Sequence, residues 1–202
     1  MIRGIVLAGG LATRLPNKAL LPIKNGKPAI TSSIDLLLRS GIKDITIVVS
    51  PVSPIPSILN VYYDRPFKFV VQPAAEGYIN AIKSVLFNSQ TTDKMVVTCC
   101  DNVYDESEKV IDREGSYACV RELPAWQTIG LAKYDDSLGK WFNVASSYTC
   151  FAGYVVFHQA CLIDTNSVVE NFNMLRMEAV QCPAKGWFDI GTLENYITYW
   201  RL

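Results

Sequence analysis

An α/β fold, with a mostly parallel but partly mixed sheet flanked by helices, is predicted by three observations. Through the first half of the chain, short β-branched apolar runs alternate with helix-like segments, the pattern of a parallel sheet with helices on its faces. In the second half the strand-like runs are longer and have less helix between them, which points to mixed pairing. The length of 202 residues, half of them hydrophobic, suits one domain with a sizeable core.

Each element follows from its own residues. Ile5, Val6, Leu7 and Ala8 make a buried strand by length and branching, and a glycine-bearing loop follows. Residues 30–40 make a helix, because Ile30, Ile34, Leu37 and Leu38 share one face and Gly41 ends it. Residues 45–49 are a second buried strand; Pro51, Pro54 and Pro56 mark a loop, with a short helix at 58–63. The third strand is 67–71, Gly77 opens a helix to residue 87, and 95–99 is the fourth strand. Strands at 117–122, 129–134 and 148–157, a helix at 168–175, short strands at 178–181 and 187–190 and a helix at 193–200 complete the chain. Ligands of such sheets bind past the carboxyl ends of the strands. Gly9 and Gly10, Gln72 and Asp101 all fall there.

Composition narrows the classes. Lys plus Arg and Asp plus Glu number 19 each, so the net charge is zero and any anion site must be local; a nucleic-acid surface, which shows as a basic excess, is not expected. No apolar run approaches the roughly 18–20 residues of a membrane span, and the first residues do not read as a signal peptide. A cytoplasmic protein with neither membrane nor nucleic-acid partners is expected. The six cysteines form no Cys-x-x-Cys pair, and several lie in apolar runs, so they are read as reduced core residues. His158 is the single histidine and is given a structural or surface role, since a serine–histidine–aspartate triad would have to be built around it alone.

The chemistry concentrates in Leu7-Ala8-Gly9-Gly10, Thr13-Arg14-Leu15, Lys18 and Leu20-Leu21-Pro22-Ile23. Glycines let backbone N–H groups approach phosphate oxygens, Arg14 offers a planar fork and Lys18 a point charge. A tight turn with two solvated cations is the plainer alternative, and the pattern fits neither the dinucleotide fingerprint nor the P-loop.

Taken whole, the string resembles the N-terminal signature of the sugar-nucleotide pyrophosphorylases, whose best-known members are glucose-1-phosphate thymidylyltransferases and uridylyltransferases. Gly26-Lys27-Pro28-Ala29-Ile30 and Gly41-Ile42-Lys43-Asp44-Ile45 resemble the family's continuation, so the likeness covers most of the chain. It implies a Rossmann-like sheet of the nucleotide-diphospho-sugar transferase type, a single domain with nucleotide bound by residues 1–110 and acceptor by 111–202. The activity it implies is Mg²⁺-dependent transfer from a nucleoside triphosphate to a sugar 1-phosphate, with pyrophosphate released. Leu7, Ala8, Gly9 and Gly10 are then nucleotide-binding, and Arg14, Lys18 and Asp101 catalytic. Gln72-Pro73-Ala74-Ala75-Glu76-Gly77 is similar to the segment whose glutamine and glycine read a pyrimidine in that family, which favours UTP or dTTP, then CTP. Asp101, in Cys100-Asp101-Asn102, and Asp189, in Trp187-Phe188-Asp189-Ile190-Gly191-Thr192, match the family's magnesium ligands. Asp105, Glu106 and Glu108 are read as a solvated acidic turn.

The chain departs from the family in four places. Ala12 stands for the second loop glycine, Cys100 stands for a glycine, the stretch from Arg14 to Lys18 is shorter, and the acceptor-side Glu-Glu-Lys-Pro is absent. Asn102, Gly130, Lys140 and Gly153 are the acceptor-side candidates, with Trp126, Trp141 and Tyr154 available to stack on a sugar. Two alternatives stand beside the sugar reading: a CTP-dependent transferase acting on a non-sugar phosphate such as phosphocholine, and a catalytically weak nucleotide-binding regulator. The family's oligomers make a homo-oligomer through Tyr196, Tyr199 and Trp200 a further expectation.

Overall fold

The computed structural model describes residues 2–10, 12–74, 77–86, 94–124, 131–143, 149–158, 165–183 and 186–202. Its first half runs β1 (Ile2–Ala8), a 3₁₀ turn (Lys18–Leu20), α1 (Ala29–Arg39), β2 (Asp44–Val49), α2 (Ile55–Tyr62), β3 (Lys68–Val71), α3 (Tyr78–Leu86), β4 (Lys94–Cys99) and β5 (Asn102–Tyr104). The second half adds β6 (Tyr117–Glu122), β7 (Lys133–Asp135), β8 (Lys140–Phe142), β9 (Thr149–His158), α4 (Val168–Met174), β10 (Glu178–Gln181), β11 (Trp187–Asp189) and α5 (Leu193–Arg201).

The main sheet has the order β10-β6-β9-β4-β1-β2-β3, with the β7–β8 hairpin attached to β9. β4, β1, β2 and β3 are parallel, and β9 is antiparallel to both β4 and β6. The order in which strands are added therefore reverses at β1, with β2 on one side and β4 on the other. That is a topological switch point, the place in such sheets where ligands bind past the carboxyl ends of the strands.

Both faces of β1, β2 and β4 are covered, which is why they read as continuous apolar runs, while β3 lies half-exposed at the sheet edge. Val6 packs into a cluster with Ile30, Ile34, Leu36 and Leu37 of α1 and with Ile55 and Leu59 of α2. Ile5 and Leu7 face the opposite cluster, with Ile79, Ile82 and Val85 of α3 and Phe172 of α4. Ile30, Ile34, Leu36 and Leu37 have no exposed surface, an upper gain of about 1.5–3 kcal/mol each. Leu38, expected on this buried face, is only partly covered, and Leu36 takes its place.

Several expectations change. The strand expected at 129–134 is β7, Lys133–Asp135, and residues 129 and 130 lie outside the described set. β5 and β8, three residues each, are too short to show a period of two in sequence. Cys119 and Cys182, expected as free thiols, are joined as a disulfide; strand pairing of β6 with β10 brings their sequence neighbours together. Trp141 and Tyr154, candidates for sugar stacking, are core residues at 2% and 0% exposure. Trp141 packs edge-on against Phe172, with its indole N–H on the Met177 carbonyl at 3.0 Å. The Tyr154 hydroxyl accepts from the Ile111 N–H at 3.0 Å. Trp126 lies outside the described residues. No helix among the described residues is long and apolar enough to cross a membrane.

Candidate active site

The loop leaving β1 and the turn leaving β4 meet at the switch point. Asn17 is left-handed at φ 54° and turns the chain into the 3₁₀ segment that begins at Lys18. From there the Lys18 ammonium reaches the Asp101 carboxylate and forms an ion pair with it. The shortened stretch between Arg14 and Lys18 therefore still delivers its lysine to the strand ends. Burial opposes the charge on Lys18, but Asp101 more than offsets it and holds the ammonium above the ordinary lysine range.

Asp101 is positioned by α1. Ser33 of that helix donates to the Cys99 carbonyl at 2.7 Å, and Ser32 accepts from the Tyr104 N–H at 2.7 Å. These hydroxyls sit on the buried side of the helix, where an apolar residue is the default. Their position is a sequence signal that periodicity analysis passes over.

Asp189 arrives from the other half. β11 pairs antiparallel with β5 as a separate two-stranded ribbon, and its register puts Asp189 opposite Asn102. The Ile190 N–H donates to the Asp101 carbonyl at 3.0 Å, and Asp189 accepts from the Gly191 N–H at 2.6 Å. A Cβ on Gly191 would stand 2.8 Å from Asp101 Oδ2 and 2.8 Å from Asp189 Oδ1. The two oxygens are thus no further apart than twice that distance, and only glycine leaves the space between them clear. Burial, then the charge of Asp101, pushes the Asp189 carboxyl up to about 6, while Lys18 and Arg14 pull the other way. Arg14 itself is exposed. The flanking Cys100 thiol is pushed up to about 12, by burial and then by Asp101, so it stays protonated at neutral pH and offers no nucleophile.

Two carboxylates brought this close at the ends of buried strands fit a magnesium ion. Mg²⁺ takes one or two carboxylates and fills the rest of its shell with water and phosphate oxygens. Among the described residues no cluster of three or more His, Cys, Asp or Glu could form an all-protein cage, and the two-carboxylate arrangement does not need one.

Across the crevice, Gln72 is 5% exposed, and among the described residues its Nε2 has no hydrogen-bond partner. A Cβ on Gly9 would lie 2.8 Å from Gln72 Oε1, so the loop glycine and the glutamine are in mutual contact. A buried amide N–H left unpaired is costly and is suited to receiving a ligand's acceptor. Gly77 has φ +92° and its carbonyl accepts from Ala81, opening α3. Leu7 is buried, its carbonyl accepts from the Cys100 N–H at 3.1 Å, and Gly10 is open to solvent. Ala12 is held at φ 49°, where its family counterpart is glycine, a strain of roughly 1 kcal/mol.

On the acceptor side the candidates separate. Asn102 donates to the Gly153 carbonyl at 3.0 Å and accepts from the Trp187 indole at 3.1 Å, so its amide ties β9 to the ribbon beside the carboxylates. Lys140 lies on β8, in a different groove of about 680 Å³ lined by Tyr134, Phe172, Asn173 and Arg176. Gly130 lies outside the described residues. Glu108, expected in a solvated turn, instead forms an ion pair with the fully buried Arg121. Sequence reading passed over Arg121, one charged residue in an apolar strand.

Residues 4–112 match the model of the MobA-like NTP transferase domain. Among solved structures, the chain is similar to one described as a glucose-1-phosphate thymidylyltransferase from Bacillus anthracis in complex with a sucrose. The TM-score is 0.81 at 20% identity, over 98% of this chain and 94% of that one. A UDP-glucose pyrophosphorylase from Acinetobacter baumanii gives a TM-score of 0.79 at 17% identity, over 98% and 92%. At these identities the likeness establishes a common fold.

Proposed function

The chain belongs to the MobA-like NTP transferase domain family, and from that premise we propose that this nucleotidyltransferase joins a pyrimidine nucleoside triphosphate to a sugar 1-phosphate. The observation that carries the reading is the convergence of Lys18, Asp101 and Asp189 at the switch point, beside the glycine loop.

In this reading the backbone of Leu7, Ala8, Gly9 and Gly10 lies along the triphosphate, and Gln72 and Gly77 meet the base. UTP and dTTP are favoured because the free Gln72 Nε2 offers a donor to a ring carbonyl while its Oε1 can accept from the adjacent imide N–H. Asp101 and Asp189 would hold Mg²⁺, which when bound neutralises phosphate charge and fixes the geometry of an in-line displacement. The acceptor phosphate is largely dianionic at neutral pH, its second pKa being about 6. Its oxygen attacks the α-phosphorus without a protein base, the α–β bridging oxygen takes the bonding pair, and pyrophosphate leaves. Lys18 and Arg14 meet the charge that grows on the leaving group, where fixed cations are worth most.

A second reading is carried by a specific observation. Lys140, the nearest cation in the stretch that replaces Glu-Glu-Lys-Pro, lines a groove that does not include the carboxylates. That supports an acceptor held differently from a sugar phosphate, such as a phosphorylated alcohol or amide used with CTP. Pyrophosphate release measured with UTP, dTTP, CTP, ATP and GTP against sugar 1-phosphates and phosphocholine decides between the two. Turnover only with CTP and a non-sugar acceptor selects the second, and no release with any pair overturns both.

A further inference from the structure

The ribbon that carries the two carboxylates has a second end, and a buried charge is built onto it. β5 and β11 pair over three positions only, Asp189 with Asn102, Phe188 with Val103 and Trp187 with Tyr104. Two short strands of this kind are marginal by themselves, and a slip of one residue would turn Asp189 to the opposite face. Something outside the ribbon must hold the register.

Arg121 of β6 has no exposed surface, yet each arm of its guanidinium is engaged. Nε donates to the Ala152 carbonyl of β9 at 3.3 Å. One terminal nitrogen donates to the Pro183 carbonyl and the other to the Glu108 carboxylate. The guanidinium also lies over the Trp187 ring, 5.8 Å from its centre. These partners are not scattered. Glu108 belongs to the segment leaving β5, while Pro183 and Trp187 lie on the approach to β11 and at its first residue. The Asp105 N–H donates to the Gly186 carbonyl at 2.5 Å just beyond the last ribbon pair. Arg39 of α1 donates to the backbone carbonyls of Asp105 and Glu108 and steadies the same turn.

A buried ion pair is a poor explanation of stability. Desolvation consumes most of the attraction, and an apolar pair of similar volume often does as well or better. The best-attested return on such a pair is the fixing of a register. We infer that Arg121, together with Glu108, is the positioning device of the proposed metal site, clamping the far end of the ribbon so that Asp101 and Asp189 face one cation at its near end. Neither residue touches the reacting groups. The inference rests on the metal-dependent transferase reading given above.

The test removes both members of the charge pair together, so that neither charge is left buried alone. Glu108→Leu combined with Arg121→Met keeps the net charge and roughly the volume, so the thermal midpoint should stay near that of the wild type. Mn²⁺ binding is read by electron paramagnetic resonance of the free ion, with UTP present, no acceptor and the protein-free Mn²⁺–UTP mixture as the baseline, so that no turnover is needed. The expected result is a loss of Mn²⁺ affinity of about ten- to a hundredfold, the scale seen when groups that orient metal ligands are removed. In the assay kcat should fall and be partly restored by excess Mg²⁺, while the KM for UTP hardly moves. If the double variant does not fold, Arg121→Lys carries the same test. It keeps the charge but loses the fork, and Mn²⁺ affinity should still fall severalfold. Wild-type Mn²⁺ affinity in a folded variant overturns this inference and leaves the transferase reading intact. Failure of the wild-type chain to bind Mn²⁺ with UTP overturns the metal reading and the inference with it.

Discussion

The two halves of the molecule use the same sheet differently. In residues 1–110 the site is made at strand ends, by short loops whose anchors are parallel strands buried on both faces. Lys18 and Asp101 reach each other there because β1 and β4 are adjacent and in register, Leu7 beside Cys99. Among the described residues of 111–202 nothing comparable lies at a strand end of the main sheet. The contribution of that half, Asp189, comes from a three-residue strand outside the sheet, on a ribbon in contact with the Arg121 side chain of β6 and the Gly153 carbonyl of β9. The difference teaches where substitutions matter. The contribution of the first half is set by backbone topology, whereas that of the second is set by side-chain contacts that substitution can rewire. The departures from the pyrophosphorylase pattern beyond the first loop and the turn at Cys100 fall in the second half.

The largest expected effect tests whether both halves meet in one site. Asp101→Asn and Asp189→Asn should each lower kcat by about a thousandfold, the scale of losing a principal electrostatic stabiliser. Circular dichroism should show the fold intact. Near-normal turnover in one variant would assign the metal to the other half alone.

Next come the cations of the β1 loop. Lys18→Ala and Arg14→Ala should reduce kcat/KM at least about a hundredfold, or ~2.7 kcal/mol. Arg14→Lys should not restore full activity, because a point charge does not replace a fork. Normal kinetics in both alanine variants would reduce the loop to a plain turn.

Gln72→Ala sharpens the base side. Discrimination between UTP and CTP should drop by roughly tenfold, while the affinity for triphosphate changes little. Unchanged discrimination would move base reading elsewhere. The acceptor-side counterpart is Lys140→Ala. With Lys140 in a separate groove, the KM for acceptor should change less than about threefold, as for a solvated surface charge. A tenfold rise would bring the β7–β8 hairpin into the site and blur the contrast between the halves.

The smallest effect is a pH dependence of the metal-free protein. The Asp189 carboxyl titrates at about 6 in the fold, above the roughly 3.9 of an unfolded aspartate. The folded state therefore holds this proton more tightly, and stability from this group rises as pH falls from above 6 towards 4. Asp44, Asp105 and Asp135 are shifted the other way, so their losses begin below that window. Thermal midpoints at pH 7.5 and 5 should differ less in Asp189→Asn than in the wild type, and the variant should be the more stable of the two at pH 7.5. A variant less stable than the wild type there would remove the electrostatic account of the site.

What the sequence by itself determined is what local rules determine. The apolar runs of β1, β2 and β4, the face of α1 and the glycines of the first loop each follow from a few neighbouring residues. So does the placement of Gln72 and Asp101 just past the ends of strands. The family string around Arg14 and Lys18 added a chemical meaning to that order. Tertiary structure alone decided the rest. The pairing of Lys18 with Asp101, the clear space that Gly191 leaves between two carboxylates, the burial of Trp141 and Tyr154 and the Arg121–Glu108 pair all join residues distant in the chain. The same is true of Cys119 and Cys182, 63 residues apart. Periodicity reports which way a side chain faces within its own element. Which partner waits on that face is fixed only when the sheet order brings the strands together.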